Sequence, residues 1–378
     1  EARPTDLHVA REQVLKRKDS KAQYSYDALV AALDKQFGKN AVKRGSQVFA
    51  DNCARCHSSI PESEGGAFQH RDFRAANDQG MRLDWLGNDQ LTPVTEVGTY
   101  RCRALHSNHM KDHVWEEYGS ETLRARAKVA GVKEPNDGGR GYYRNVSLIS
   151  LWAHAPFAHN NAIGPEICGQ PKNRENFFYR SPYVDRASKQ LLPDDKAPAC
   201  MNYDPDVEGR FSLYVKSMED LLNPAQRVPK ITKLDVDVPL PLELRSVENG
   251  EEKKVVGLTV LIPKGTTAAG LVNFRHKDFA NDLVQLKLDP QGLEQRLAKD
   301  LGPEEATATV NELRSLVAEF LKQPKDGKVM PVAVMRSHPK LVEFYSNCTA
   351  DIENDGHPFG QDLSEADKKA LIAFLATM

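Results

Sequence analysis

Apolar residues recur at helical spacing in several stretches of this chain. Tyr26, Leu29, Val30, Leu33 and Phe37 fall on one face and Gly38 follows as a stop, so residues 1–40 read as an N-terminal helical extension. A second helix opens at Ala41, with Val42, Gly45 and Phe49 on one face. Between 276 and 323, Leu283, Leu286, Leu293, Leu297, Leu313, Leu316, Val317 and Phe320 predict further helices. At the C-terminus Ser364 and Asp367 have capping-box spacing, and Leu371, Phe374, Leu375 and Met378 follow at i, i+3, i+4 and i+7. The strand signal is sparse. It is confined to residues 231–262, most clearly Val255–Ile262, before the turn Pro263-Lys264-Gly265. Residues 164–230 are rich in Pro, Asn, Asp and Arg, lack a clear period and read as long ordered loops. The pattern predicts a mainly α protein with long loops and a little β.

Composition narrows the function classes. The 378 residues carry a formal net charge of −2 and are 40% hydrophobic. That balance makes no electrostatic case for nucleic acid or a membrane surface as partner. No apolar run approaches the roughly 20 residues of a membrane span. The chain opens on Glu1 with no initiator Met, which we read as a mature exported protein.

The densest chemistry is Cys53-Ala54-Arg55-Cys56-His57. This is CxxCH, the attachment motif of a c-type haem. Two thiols at this spacing can reach the two vinyl groups of one porphyrin, and the adjoining His57 can bind the iron as proximal ligand. A bare Cys-x-x-Cys would leave a redox disulfide or zinc open, and a chance CxxCH carrying a disulfide is the alternative here. Covalent haem predicts one haem c and a bacterial periplasmic, or otherwise exported, location. Cys102, Cys168, Cys200 and Cys348 remain. In an oxidising compartment they predict disulfides, with three pairings open. Cys168 with Cys200 is the first choice, because it closes a loop of about 30 residues worth about 3 kcal/mol.

Both ends of the chain resemble the cytochrome c family: Gly45–His57, a helix running into CxxCH, and Leu371-Ile372-Ala373-Phe374-Leu375, similar to that family's last helix. A broader resemblance is carried by Tyr143-Arg144-Asn145-Val146-Ser147-Leu148 through Ala155-Pro156-Phe157-Ala158-His159-Asn160, and by Thr92-Pro93 to Gly98-Thr99. The first is similar to the segment after the second haem of di-haem cytochrome c peroxidases and bacterial rubber oxygenases, and the second also resembles that group. The resemblance implies a cytochrome c-like helical haem domain, elaborated by long ordered loops, with a large insertion containing a little β. Four parts are expected: an extension at 1–40, a haem-binding part at 41–165, an inserted loop-rich and helical region at 166–340, and a C-terminal loop and helix at 341–378. The chain has one CxxCH, matching the second haem of that group, so its catalytic haem has no counterpart.

The sixth iron position decides the chemistry. In small soluble members of the family a distal Met precedes the last helix. Here no Met lies between 336 and 377, and counting back about fourteen residues from Leu371 reaches His357 in Gly356-His357-Pro358. His357 is therefore the leading distal ligand, which implies bis-imidazole ligation and a lower potential than His/Met. His159 is the alternative distal ligand, followed by His109 and Met110, with Met201, Met330 and Met335 behind. His106, His109 and His113 would share one helix face and form a candidate second metal site, or haem-pocket lining, or plain surface. Asp204–Gly209 and Asp351–Gly356 resemble the first half of a Ca2+ loop, with Val215 and Asp362 at the closing positions. Solvated acidic turns are the alternative, and the second stretch is the better Ca2+ candidate. Trp85, Trp115 and Trp152 are candidates for haem packing or electron relay, with core packing as the plainer role.

These readings favour a periplasmic monohaem c-type cytochrome that passes electrons to or from a redox partner protein, a dehydrogenase or an oxidase. The alternative is a haem-dependent peroxidase or oxygenase with a labile or open distal position, for which no catalytic residue is assigned.

Overall fold

The computed structural model describes residues 26–63, 68, 71–79, 81–100, 102–103, 142–155, 162–168, 181–248, 251–272, 274–322, 332–334, 338–346 and 352–378. The chain is mainly helical. In chain order it begins with α1 (Tyr26–Phe37), α2 (Ala41–Asn52), β1 (Leu91–Pro93), α3 (Val94–Val97), β2 (Tyr142–Arg144), α4 (Leu151–His154) and α5 (Val207–Leu222). There follow β3 (Val238–Glu248), β4 (Glu251–Ile262), α6 (Ala268–Val272), α7 (His276–Leu288), α8 (Pro290–Leu301) and α9 (Pro303–Lys322). β5 (Val332–Val334), α10 (Pro339–Tyr345) and α11 (Glu365–Leu375) complete it.

Two compact units share the chain. The first contains residues 1–172, 195–229 and 352–378, and the second contains 173–194 and 230–351. The expected insertion at 166–340 is thereby divided, because 195–229 packs with the terminal helices.

The first unit is organised by α2 and α11, which lie against each other. Gly45 marks their crossing: a Cβ there would stand 1.9 Å from the Ala370 carbonyl oxygen and 2.6 Å from the Phe374 Cβ. Only a residue without a side chain lets the backbones approach so closely. Phe49 then packs on Phe73 and Phe374, with centroids 4.9 and 5.4 Å away. The expected cap of the last helix is formed, with the Asp367 N–H donating to Ser364 Oγ at 3.1 Å. Leu371, Phe374, Leu375 and Met378 are all buried, as their spacing predicts.

α5 corrects the loop reading of 164–230. Phe211, Tyr214, Met218 and Leu222 bury one face of this helix, and the Tyr214 hydroxyl donates to the Ile372 carbonyl at 2.7 Å. That spacing was present in the sequence, but the surrounding Pro and Asp masked it. The same helix begins inside the first Ca2+ candidate. Asp204 Oδ1 accepts from the Asp206 N–H at 2.9 Å, and the backbone turns into helix from Val207. The remaining loop is held by the expected disulfide, Cys168–Cys200, with Cα atoms 5.1 Å apart. Cys102 is also disulfide-bonded.

In the second unit the leucine-rich stretch folds as α7, α8 and α9, broken where the sequence places proline. Asp289 accepts from the Gly292 N–H at 2.9 Å and caps α8, with Pro290 at its first position, where no N–H is needed. Phe279, Leu293, Leu297, Val310, Leu313, Leu316 and Tyr345 form the core with Ile262 and Leu234. β3 and β4 make a long antiparallel hairpin, and β5 joins β4 in parallel.

Candidate haem-attachment site

The motif grows out of the end of α2. The Cys53 and Ala54 N–H groups both donate to the Phe49 carbonyl at 2.9 Å. The Cys56 and His57 N–H groups then donate to the Cys53 carbonyl at 3.1 and 2.9 Å. The segment therefore winds as one more turn, with the two cysteines one turn apart. Ala54 is buried beneath it, and Arg55 faces solvent.

The two thiols are unpaired, unlike Cys102, Cys168 and Cys200. Burial, and then the neighbouring Cys56, push the Cys53 thiol up to about 12. Burial also raises Cys56, against the pull of Arg55. Both are protonated at neutral pH. That is the state of a resting thiol and not of an activated thiolate nucleophile, which needs a lowered pKa.

His57 is half-buried and crowded by protein, which pushes its pKa down; a hydrogen bond to Val146 opposes this. Its Nδ1–H donates to the Val146 carbonyl at 3.3 Å. A carbonyl can only accept, so the bond fixes the neutral tautomer and leaves the Nε2 lone pair as the free donor of electrons. This is how a metal-ligating imidazole is oriented by a second contact.

The segments around the motif are fastened to one another. The Asn88 N–H and Nδ2 donate to the Cys56 and Arg55 carbonyls at 3.2 and 3.1 Å. Asn145 Nδ2 donates to Asn88 Oδ1, and Thr92 Oγ1 donates to Asn145 Oδ1, both at 3.0 Å. The buried Asp84 carboxylate accepts from Ser58 Oγ at 2.5 Å, from the Ser59 N–H at 2.9 Å and from the Leu86 N–H at 2.8 Å. β1 pairs antiparallel with β2, Thr92 opposite Tyr143.

His357 is held by the same module from its other flank. Its N–H donates to the carbonyl of Val97, the last residue of α3, at 2.9 Å. Gly356 lies directly on the Gly98 backbone: a Cβ there would be 2.1 Å from the Gly98 oxygen, and its φ is +99°. His357 itself adopts φ +51°, unusual for a residue with a side chain, with the Phe359 ring 5.6 Å away and nearly perpendicular. Glu96, next to Val97, is near enough to Cys56 to raise its thiol. The structure thus ties both His57 and His357 to β1–α3–β2, the first through Val146, two residues past β2, and the second through Val97.

His159, His106, His109, Met110, His113, Trp115, Met330 and Met335 lie outside the described residues. Met201 packs against the core, and Trp152 is buried in it with no acceptor for its Nε1–H among the described residues. Trp85 is exposed. In the second Ca2+ candidate, Asn354 donates its Nδ2 to the Val228 carbonyl at 2.8 Å and so faces the protein. Among the described residues no three or more His, Cys, Asp or Glu side chains converge as a metal site. Sequence reasoning missed Asp84, Asn88 and the Val146 carbonyl. The first two are ordinary polar residues in loops, and a backbone acceptor leaves no mark on residue type. Comparison with protein-family models, with curated proteins and with solved structures gives no match.

Proposed function

We propose that this chain is a monohaem c-type cytochrome that passes single electrons in an exported, oxidising compartment such as the bacterial periplasm. The observation that carries the reading is the joint state of three side chains. Cys53 and Cys56 are neutral, unpaired and one turn apart, and His57 is neutral with Nε2 free and Nδ1 anchored. This donor set fits a covalent haem. Each protonated thiol can add its sulfur and its hydrogen across one vinyl double bond, with nothing left over. His57 would then hold the iron through Nε2, with the Val146 carbonyl orienting the ring. The bound haem supplies a one-electron Fe(III)/Fe(II) couple. The Cys168–Cys200 disulfide and the bonded Cys102 support an oxidising location. The crossing of α2 and α11 at Gly45 supports a cytochrome c-like arrangement of the terminal helices.

His357 is the proposed sixth ligand. Its backbone is fixed by Val97 and by the Gly98–Gly356 contact, so the loop is preorganised. Two imidazoles make a low-spin site suited to electron transfer with a redox partner protein, a dehydrogenase or an oxidase. The test is expression with a haem-attachment system, a haem stain on a denaturing gel, and optical and EPR spectra of the ferric protein beside His357→Ala. One covalent haem, low-spin in the wild type and high-spin in the variant, is the expected result. Absence of covalent haem refutes the cytochrome reading. A high-spin ferric wild type that binds cyanide stoichiometrically refutes the electron-carrier form of it.

A further inference from the structure

His357 stands on a strained piece of backbone. Its φ of +51° is a left-handed conformation that a residue with a side chain keeps only where its surroundings over-determine it. Val97 and Gly98 hold the loop from one side. The other side is held from the end of α5, through a residue outside the attachment motif and its module.

That residue is Arg227. It follows the 3-10 turn Pro224–Gln226 after α5 and is 7% exposed. Its guanidinium reaches three main-chain carbonyls. Nε donates to Asp220 at 2.5 Å and Nη2 to Leu221 at 2.9 Å, both in the last turn of α5. Carbonyls there lack an intrahelical partner, and a cation is favoured beside them. Nη1 reaches out of this cap and donates to the Asn354 carbonyl at 2.5 Å. Asn354, 8% exposed, returns the link: its Nδ2 donates to the Val228 carbonyl at 2.8 Å. Farther along the loop Gly360 lies on α5 too, since a Cβ there would be 3.1 Å from Leu222 Cδ2.

The position of this clamp in the chain matters. The chain passes from the first unit to the second after Pro229 and returns at Ile352. Arg227, Val228 and Asn354 flank those two crossings on the first unit's side. The outgoing and returning segments are therefore tied to each other and to α5 before the backbone reaches His357. Without the tie, a displacement arriving along the chain from residues 230–351 would pass directly into the strained residue.

We infer that Arg227 is a positioning residue for the distal ligand: through the Asn354 carbonyl it fixes the backbone entering His357, and so the aim of that imidazole. The inference rests on the cytochrome reading above, with His357 as sixth ligand.

The experiment uses the haem-loaded full chain. Ferric optical and EPR spectra and the limiting rate of cyanide binding are measured for wild type, His357→Ala, Arg227→Lys, Asn354→Ala and Tyr214→Phe. Cyanide enters a six-coordinate site only after the sixth ligand has left, so its limiting rate reports how firmly His357 is held. Arg227→Lys keeps the charge but loses the planar fork, and is expected to raise that rate about tenfold with a partial high-spin signal. Asn354→Ala keeps the Arg227 bonds and is expected to raise it about threefold. Tyr214→Phe removes a different α5 bond, that to the Ile372 carbonyl, and is expected to leave the rate unchanged. Deuterium exchange in the peptide 352–360 should quicken in the two clamp variants and not in Tyr214→Phe. If Arg227→Lys does not fold, Asn354→Ala decides. Wild-type cyanide rates and exchange in the clamp variants overturn the inference. So does an equal rise in Tyr214→Phe, which would mark a general loss of stability. A His357→Ala protein with the wild-type spectrum overturns the distal assignment and this inference with it. A high-spin His357→Ala beside unaltered clamp variants overturns the role of Arg227 alone.

Discussion

Replacing Gly45 by alanine sets two effects of opposite sign against each other. Gly45 lies inside α2, where alanine is the better helix former by about 1 kcal/mol. The added methyl would sit 1.9 Å from the Ala370 carbonyl oxygen, against an ordinary contact of at least 3.4 Å. The obstacle is backbone, so no rotamer relieves it, and α2 and α11 must part by about 1.5 Å at the crossing. A gap of that order forfeits a quarter to a half of the packing of the side chains at the seam. Phe49 and Phe374 meet there with centroids 5.4 Å apart, each worth about 2–3 kcal/mol when buried. Their loss, with the weakened Phe49–Phe73 contact, comes to about 2–4 kcal/mol, and the net destabilisation to about 2 kcal/mol. For a unit of this size the melting temperature should fall by about 4–8 °C, read by tryptophan fluorescence. Phe374→Ala should not rescue it, because alanine keeps the Cβ that is already 2.6 Å away. A Gly45→Ala protein as stable as wild type, or more so, would mean that propensity decides and that the helices are not in backbone contact.

Ser364→Ala removes the side-chain acceptor of the Asp367 N–H at the start of α11 and should cost about 1 kcal/mol in urea denaturation. Asp367 is held below the usual carboxylate range by its bond to Arg44, so its contribution is present above the ordinary carboxylate pKa and lost as pH falls through the folded value. Asp367→Asn should therefore flatten the acid side of the stability profile and leave its alkaline side alone. Asp282 has the opposite sign: burial raises it, so its contribution is fully present below the ordinary carboxylate pKa and is lost as pH rises through the folded value. Tyr345→Phe removes the 2.8 Å hydrogen bond that opposes this rise, and should destabilise at pH 7 by about 1.5–3 kcal/mol and by less at pH 4. Equal losses at both pH values would show that Asp282 is not charged in the folded state. If the motif carries haem as proposed, Cys53→Ala should leave one thioether and a haem still held by His57, seen as a shift of the reduced α-band; covalent haem with an unchanged α-band would place the attachment elsewhere.

What could be read from residue types was the part of the fold that repeats. The apolar faces of α1, α2, α9 and α11 and the cap at Ser364 follow from spacing, and the CxxCH motif stands in five adjacent residues. α5 was legible in principle from Phe211, Tyr214, Met218 and Leu222, but its flanks, dense in Pro and Asp, outweighed that period. The division of 166–340 between two units was not legible at all. It depends on whether 195–229 packs on α11 through Tyr214, a long-range contact with no local signature.

The site shows the same limit more sharply. CxxCH leaves a disulfide and a haem both open, since the residues are identical in either case. What residue type does not carry is the environment that supports the proposed haem: burial keeps both thiols protonated, and a backbone carbonyl keeps the imidazole neutral and aimed. That carbonyl belongs to Val146, far along the chain from the motif, brought there by the pairing of β1 with β2 and by the Asn88–Asn145 bond. The same short module carries Val97, which fixes the backbone of His357. In the proposed cytochrome, orientation of His57 and placement of His357 therefore depend on one piece of structure. A change that loosens β1–β2 should disturb both axial positions together, and one that touches only the 356–360 loop should disturb the distal position alone.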